Sequence, residues 1–280
     1  MRTREQLLED LRQLGVRPGD LIMVHASLRA MGPVEGGVGG VLDSLDAAVG
    51  PDGTLMMTLG ANNDWDGVHT HPEAKPFDPE RTPAQADVGY LAEAFRQRPG
   101  TRVSDHPEGR FGARGRRAEE VLANPPWNDY YGPGSPLEHA TRLGVRVLRL
   151  GADRNTVTLL HLAEYLVELP AKRRVRRYTR VHGPHGPEVR TVDCLDDESG
   201  IVDWEGEDYF GLLLGDYLAQ GRARTGKVGN AVSELLDGAD LLSFGVRWMA
   251  EHLGGGASGT PPSSQEQLRS GATAADESER

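Results

Sequence analysis

The sequence of 280 residues contains only one cysteine, Cys194. A single thiol forms neither an internal disulfide nor a zinc site built on several cysteines, so a disulfide scaffold is excluded and a reducing cytoplasm is favoured. No apolar stretch approaches the roughly 18 residues of a membrane span, and the charged N-terminal segment lacks the apolar centre of a signal peptide. We therefore expect a cytoplasmic protein with no membrane partner.

Basic residues are the scarcer charge, with 31 Lys and Arg against 42 Asp and Glu and a formal net charge of -11. Phosphate backbones are bound by clustered Lys and Arg, so this balance argues against a nucleic-acid partner and suits a cationic ligand better. Two nucleotide-binding patterns are also missing, the Walker A lysine and a G-x-G-x-x-G after a strand.

The first 60 residues alternate between helix and strand patterns. Thr3 and Gln6 have the spacing of a capping box for a helix that ends at Gly15. An apolar strand at 21–24 leads into a glycine-rich loop, a second helix and a second apolar strand at 54–59. This order predicts an α/β fold, a single domain with a central, mostly parallel or mixed sheet flanked by helices.

Later segments continue the pattern after a long polar stretch. A strand ends at Leu150, and Asn155 or Thr156 is expected to cap a helix that runs to about Glu168. Three more helices are expected at 87–99, 209–218 and 241–253, and a β-hairpin is expected at 172–194. Beyond Leu253 large apolar side chains almost disappear, so we expect one domain over 1–253 and a disordered tail over 254–280.

The helix after Leu150 carries the most informative pair of side chains. His161 and Glu164 are i,i+3 neighbours on its polar side. The other side is apolar, with Leu159, Leu160, Ala163, Leu166 and Val167. A carboxylate that accepts a proton from one ring nitrogen leaves the other free to act as a general base. The alternative is a solvent-exposed pair without a catalytic role.

Two clusters have the chemistry of anion or metal binding. Ser27, at a strand end before a glycine-rich turn, suits phosphates or the amides of a pantetheine arm, although such loops are often plain turns. His69 and His71, with Asp66 nearby, have donor types found in metal hydrolases. The remaining ligands are missing from that segment, so polar loop residues are the favoured interpretation and no metal is expected.

Two charged runs follow. The basic run over 172–180 predicts a solvated strand edge or a site for one cofactor phosphate rather than a nucleic-acid patch. Asp196, Asp197 and Glu198, together with Asp64 and Asp66, are suited to line a pocket for a polyamine, although loop acids are usually only solvated. Cys194 has no base nearby in the sequence and is interpreted as a packed thiol.

Several motifs together resemble the aminoglycoside 3-N-acetyltransferases. They are VHASLRAMG at 24–32, SDHPEGRFGARG at 104–115, GSPLEHA at 134–140, LGADRNTVTLLHLAEY at 150–165 and the closing GKVGNA and LLSFGV segments. The resemblance covers nearly all of residues 1–253 in order. It implies the antibiotic acetyltransferase fold, distinct from the GNAT acetyltransferases. It also implies transfer of an acetyl group from acetyl-CoA to the 3-amino group of a 2-deoxystreptamine ring, with antibiotic resistance as the result.

The resemblance also implies roles for individual residues. His161 looks like the catalytic base and Glu164 like its orienting carboxylate. The positions that fall where the family handles CoA are Ser27, Leu28, Arg29, Val34, Ser104, Pro107, Arg110 and Phe111. The positions on the acceptor side are Asp64, Trp65, Asp66, Asp197 and Glu198. In the loop 104–115, many relatives carry Ser and Ala residues where this sequence has Arg110, Gly112 and Arg114. The added cations are expected to meet CoA phosphates or to face water.

Other functions compatible with these residues are acetylation of another amine in biosynthesis, antibiotic binding without turnover, and a metal-dependent hydrolase using His69 and His71. The chain is expected to act as a monomer or homodimer on a small-molecule aminoglycoside.

Overall fold

The computed structural model describes residues 1–61 and 75–254. Its centre is a mixed sheet of seven strands. The strands are β1 Leu21–Ala26, β2 Thr54–Thr58, β3 Arg102–Val103, β4 Phe111–Gly115, β5 Arg146–Leu150, β8 Arg224–Val228 and β9 Ala231–Asp237. Their order across the sheet is β3-β4-β2-β1-β5-β9-β8. The three inner strands β2, β1 and β5 are parallel, and the outer strands pair antiparallel. The predicted α/β class with a mixed sheet is confirmed.

Helices cover both faces of the sheet. They are α1 Arg4–Leu14, α2 Leu28–Met31, α3 Gly37–Val49, α4 Tyr90–Arg96, α5 Ala118–Val121, α6 Pro136–Arg142, α7 Leu160–Leu166, α8 Tyr209–Ala219 and α9 Gly238–Leu253. The capping box of Thr3 and Gln6 begins α1, and Gly15 ends it in the left-handed conformation. No helix in these described ranges is long and apolar enough to cross a membrane.

The side chains of β1 alternate between two hydrophobic cores, one on each face of the sheet. Ile22 and Val24 of β1 pack with buried residues of α1 and α3 on one face. Leu21 and Met23 pack on the other face, in a cluster that also contains buried residues of α7, α8 and α9. Because successive side chains of a strand point to opposite faces, His25 follows Met23 toward the α7 side. This is the side on which the predicted catalytic pair lies.

The predicted hairpin is confirmed as a separate two-stranded sheet, β6 Arg174–Gly183 and β7 Gly186–Leu195. Val192 and Cys194 of β7 are buried and join the core on the α7 side. The hairpin is therefore anchored to the domain through the end of β7.

Two predicted helix starts differ from the structure. Neither Asn155 nor Thr156 caps α7, because Thr156 donates its hydroxyl to the Asp153 carbonyl and the helix begins only at Leu160. The helix predicted from 87 is split into a 3-10 turn and α4, since Gly89 lies between them with φ of 88°. The tail predicted over 254–280 lies outside the described residues after Gly254, and the domain boundary stays a prediction.

Candidate active site

The connection from β5 leads into α7, the helix that carries the predicted catalytic residues His161 and Glu164. β5 ends at Leu150, and Gly151 turns the chain with φ of 64° in a space where a Cβ would lie 2.6 Å from the Cβ of Ala30. Arg149, which is 1% exposed, donates to the carbonyls of Ala152 and Asp153 at 2.6 and 2.8 Å. Its other terminal nitrogen donates to Glu234 on β9 at 3.0 Å. The start of the connection is therefore fixed to the sheet by a buried ion pair.

His161 and Glu164 form the predicted pair on α7. The Nδ1–H of His161 donates to Oε2 of Glu164 at 2.7 Å. The second carboxylate oxygen of Glu164 accepts from the hydroxyl of Tyr209. Glu164 is only 1% exposed, so the alternative of a solvent-exposed pair is wrong. The assignment of faces is also partly wrong, because Glu164 and Leu162 are buried whereas Leu166 is 41% exposed.

Aromatic rings enclose the imidazole of His161. Tyr131 stacks on it with centroids 5.0 Å apart and planes 10° apart, and Phe210 lies 4.9 Å away at a tilt. Burial alone lowers the pKa of His161, but the charge and hydrogen bond of Glu164 outweigh it and raise the pKa above its usual 6.5. Within residues 1–61 and 75–254, Nε2 makes no hydrogen bond. That nitrogen is available to accept a proton.

A pocket opens beside His161 with a wall rich in carboxylates. Its wall comprises Asn155, His161, Glu164, Asp197, Glu198, Ser199, Gly200, Trp204, Gly206, Glu207, Asp208, Tyr209 and Phe210. The predicted acceptor residues Asp197 and Glu198 are thus brought together with the predicted base. This arrangement suits a cationic amine placed next to a proton acceptor.

The two predicted carboxylates have different surroundings. Asp197 accepts from Arg177 and, at 2.7 Å, from the hydroxyl of Tyr130. The Glu198 side chain is 81% exposed, and its closest approach to Arg177 is 3.9 Å. Asp197 therefore has protein partners for its charge, whereas Glu198 presents its charge to the pocket and to solvent. The other predicted acceptor residues, Asp64, Trp65 and Asp66, lie outside the described residues, as do His69 and His71.

The strand end at Ser27 lies next to the β5–α7 connection. The Ser27 amide donates to the Leu150 carbonyl at 3.0 Å, and the Ser27 hydroxyl oxygen caps α2 by accepting from the Ala30 amide. Leu28 is half-buried, Arg29 is exposed and Val34 is buried. The structure therefore places the predicted cofactor segment beside the element that carries His161.

The second predicted cofactor segment is enclosed. Ser104, Pro107, Arg110 and Phe111 are all buried. Arg110 donates to the carbonyls of Gly60, Pro79 and Pro83, and burial lowers its pKa to about 10. The expectation that its guanidinium meets CoA phosphates or faces water is wrong, because these carbonyls surround it. Ser104 accepts from the Phe111 amide at 2.8 Å and so closes the loop.

The basic run over 172–180 is largely neutralised by the protein itself. Arg173, Arg174 and Arg176 pair with Asp203, Asp129 and Asp193, respectively. Arg177 lies between Glu108 and Asp197. Lys172 donates to the carbonyls of Glu164 and Tyr165 at 2.8 and 2.9 Å. The predicted phosphate site on this run is therefore not supported, because its cations have partners on neighbouring loops and strands.

Cys194 is a buried free thiol, and burial raises its pKa to about 11. This confirms the interpretation as a packed thiol. Across the described ranges there is no group of three or more His, Cys, Asp or Glu residues that could hold a metal ion.

Sequence reasoning missed several residues of the site. Tyr131 and Tyr209 contact the predicted catalytic pair from separate segments, Arg149 lies on β5, and Asn155 lies in the connection before α7. Tyr131 and Tyr209 have no spacing relation to His161, so only the fold reveals them. Arg149 could have been identified from the sequence, because a charged residue inside an apolar strand is expected to have a buried partner.

Comparisons with known proteins agree with this geometry. A family model described as aminoglycoside 3-N-acetyltransferase matches residues 23–250. The aminoglycoside N(3)-acetyltransferase VII of Streptomyces paromomycinus is 39% identical over 268 residues, which cover 90% of this chain and 93% of that relative.

Solved structures that are similar to this chain include two aminoglycoside acetyltransferases. AAC-IIIb in a binary complex with CoASH has a TM-score of 0.87 and 36% identity, covering 92% of this chain and 99% of its own. AAC-VIa bound to sisomicin has a TM-score of 0.83 and 33% identity, covering 89% and 97%. The fold expected from the sequence motifs is confirmed, and at the level of the family so is an acetyltransferase that uses acetyl-CoA. The chain belongs to the aminoglycoside 3-N-acetyltransferase family.

Proposed function

We propose that the protein transfers the acetyl group of acetyl-CoA to the 3-amino group of the 2-deoxystreptamine ring of an aminoglycoside, and that this confers resistance. The observation that carries the proposal is His161 in the wall of an acid-lined pocket. Its Nδ1 is hydrogen-bonded to Glu164, and its Nε2 has no hydrogen-bond partner among the described residues. The relatives crystallised with CoASH and with sisomicin support both substrates.

In the proposed reaction, His161 acts as general base. Its Nε2 takes a proton from the acceptor ammonium, because an ammonium has no lone pair with which to attack. The amine nitrogen then forms a bond to the thioester carbonyl carbon and loses a second proton as the C–S bond breaks. Of the two protons that leave the nitrogen, the imidazolium returns one to the leaving thiolate and the other passes to solvent. Glu164 stabilises the imidazolium during these steps through the 2.7 Å hydrogen bond to Nδ1.

The transfer is proposed to be direct. Cys194 is buried and has a pKa raised to about 11, so it is poorly suited to form an acyl-enzyme intermediate. Holding amine and thioester together in one complex supplies much of the acceleration without covalent catalysis. Acetylated protein formed without any antibiotic would contradict direct transfer.

We infer that donor and acceptor approach His161 from different segments. On the donor side we assign Ser27, whose amide donates to the Leu150 carbonyl at the start of the β5–α7 connection, with Leu28, Arg29 and Val34 of the same segment. Ser104, Pro107 and Phe111 are assigned to the donor side from the sequence resemblance. On the acceptor side are Asp197 and Glu198, with Asp64, Trp65 and Asp66 assigned from the sequence resemblance. The functional unit is proposed to be residues 1–253, as a cytoplasmic monomer or homodimer.

The decisive experiment is a panel of amine acceptors assayed by CoA release, with NMR of the product to locate the acetyl group. Gentamicin and kanamycin are expected to release CoA and to carry the new acetyl group on N3. Acetylation of a different amine only would favour a biosynthetic role. Binding of antibiotic without CoA release would favour a non-catalytic binding protein.

A further inference from the structure

The inference concerns Asn155 and rests on the proposed function. Asn155 lies in the connection between β5 and α7 and is exposed in the wall of the pocket that contains His161. Two residues before it, the Asp153 carbonyl accepts from Arg149 at 2.8 Å and also from the hydroxyl of Thr156 at 2.6 Å. Val157 and Leu159 are fully buried just after it. The main chain on both sides of Asn155 is therefore anchored.

The pocket wall is unbalanced in hydrogen-bonding capacity. Ionised carboxylates only accept hydrogen bonds, and five of the residues that line the pocket are acidic: Glu164, Asp197, Glu198, Glu207 and Asp208. Two of the wall's side-chain donors are already used, since Tyr209 donates to Glu164 and the indole of Trp204 donates to the Glu207 carbonyl at 2.8 Å. Such a wall binds ammonium groups but offers little to an oxygen acceptor.

Asn155 supplies what the carboxylates lack. Within residues 1–61 and 75–254 its amide makes no hydrogen bond, and it is the one side-chain amide among the residues that line the pocket. An amide offers two N–H donors and a carbonyl acceptor. It can donate to a hydroxyl, ether or glycosidic oxygen, which a carboxylate cannot do. Ser199 and Tyr209 carry neutral hydroxyls in the wall, and the Tyr209 hydroxyl already donates to Glu164.

We propose that Asn155 is a specificity-determining residue that recognises an uncharged oxygen of the acceptor while the carboxylates bind its ammonium groups. Charge alone attracts any polyamine in many orientations, because Coulomb attraction has little directional preference. A hydrogen bond from an anchored amide to one oxygen selects the orientation that brings a single amine to His161. The pocket would thereby discriminate a hydroxylated amino sugar from an aliphatic polyamine.

The test is calorimetric binding of kanamycin and of monodeoxy kanamycins to wild-type protein and to Asn155→Ala, with kinetics measured in parallel. Arg154→Ala is the matched control, because Arg154 is an exposed neighbour in the same connection that does not line the pocket. Asn155→Asp removes the donors while adding a carboxylate to the wall. Spermine serves as a probe because it is an aliphatic polyamine that has positive charges but no oxygen atoms.

We expect Asn155→Ala to weaken kanamycin binding about three- to tenfold, the range of one neutral hydrogen bond. For one monodeoxy analogue, wild-type binding should already be weakened by the same factor, with no further loss in Asn155→Ala. The affinity of Asn155→Ala for spermine should differ less than twofold from that of the wild-type protein. The affinity of Arg154→Ala for kanamycin should also differ less than twofold.

Unchanged kanamycin binding in Asn155→Ala would overturn the proposal, and so would an equal loss with every deoxy analogue. Tighter kanamycin binding by Asn155→Asp would show that charge alone governs affinity, which also contradicts it. Because the readout is a dissociation constant, these outcomes are distinct from failure of the proposed function, which would appear as absence of CoA release from the wild-type protein.

Discussion

Two histidines near the carboxyl ends of the parallel strands have opposite electrostatic surroundings. His161 donates to Glu164, which raises its pKa above the usual 6.5 despite burial. His25, on β1, is opposite Arg149 in the strand register. Burial lowers the pKa of His25 to about 3, and the charge of Arg149 lowers it further. Its Nε2 is buried without a hydrogen-bond partner.

The difference shows what makes an imidazole into a base. Both rings lose hydration, which disfavours the charged form in each case. Only His161 has a carboxylate to compensate the positive charge that it gains on accepting a proton. His25 faces a cation instead and stays neutral across the physiological range. The comparison therefore favours His161 over His25 as the proposed base.

The largest expected effect is that of His161→Ala, which removes the proposed base. Loss of general base catalysis should lower kcat by about a thousandfold, while the Kd for CoA changes little. Steady-state CoA release and calorimetry measure the two quantities. His139→Ala, on α6 and outside the pocket, is the control and should retain kcat. Near-normal kcat in His161→Ala would show that the base is another group.

Glu164→Gln should have the next largest effect, lowering kcat by about 10- to 100-fold because the imidazolium loses its carboxylate. The direction of the expected shift in the pH profile follows from the groups around His161. The rate rises with pH as His161 loses its proton, and Glu164 places that pKa above 6.5. In the variant the lowering by burial is opposed only by the smaller effects of Asp197 and Asp208, so the acid limb of kcat/KM should move to lower pH. A shift to higher pH would refute this explanation.

Asp197→Asn and Glu198→Gln compare a carboxylate that accepts hydrogen bonds from the protein with one that is largely exposed to solvent. Asp197 accepts from Arg177 and Tyr130, so its variant should lower the free energy of unfolding by about 1–3 kcal/mol and also raise the acceptor KM. Glu198 is 81% exposed, so its variant should raise KM about two- to fivefold with no change in melting temperature. Equal melting temperatures for the two variants would show that the contacts of Asp197 do not stabilise the fold.

His25→Asn should have the smallest effect on pH dependence. The pKa of His25 is lowered to about 3 by burial and by Arg149, so its charge does not change between pH 5 and pH 9. The acid limb of kcat/KM should therefore coincide with that of the wild-type protein, even if kcat falls a fewfold. An acid limb displaced in His25→Asn, and unaffected in Glu164→Gln, would reverse the roles of the two histidines.

Local signals in the sequence were sufficient for much of the fold. The capping box at Thr3 and the apolar strands predicted the order of elements because these patterns reflect short-range sterics and burial. The i,i+3 spacing placed His161 and Glu164 side by side for the same reason. Even so, periodicity placed Glu164 on the polar face, because it could not show that Tyr209 supplies a hydrogen bond that makes burial of the carboxylate tolerable.

Contacts between distant segments could not be predicted in this way. The basic run over 172–180 looked available for a phosphate because its acidic partners lie elsewhere in the chain, such as Asp129 and Asp203. Arg110 was expected at the surface or at a phosphate, whereas carbonyls more than 25 positions away surround it. Long-range pairing decides whether a charge is free, and one sequence carries little information about it.

The most direct test of the central claim is chemical rescue of single-turnover acetyl transfer in His161→Ala by added imidazole, with acceptor and acetyl-CoA saturating. A base missing from an existing cavity can be replaced from solution, so imidazole should restore part of the rate, more strongly as pH rises through the imidazole pKa near 7. His139→Ala should show no response. Transfer at the wild-type rate in His161→Ala without imidazole would contradict the account.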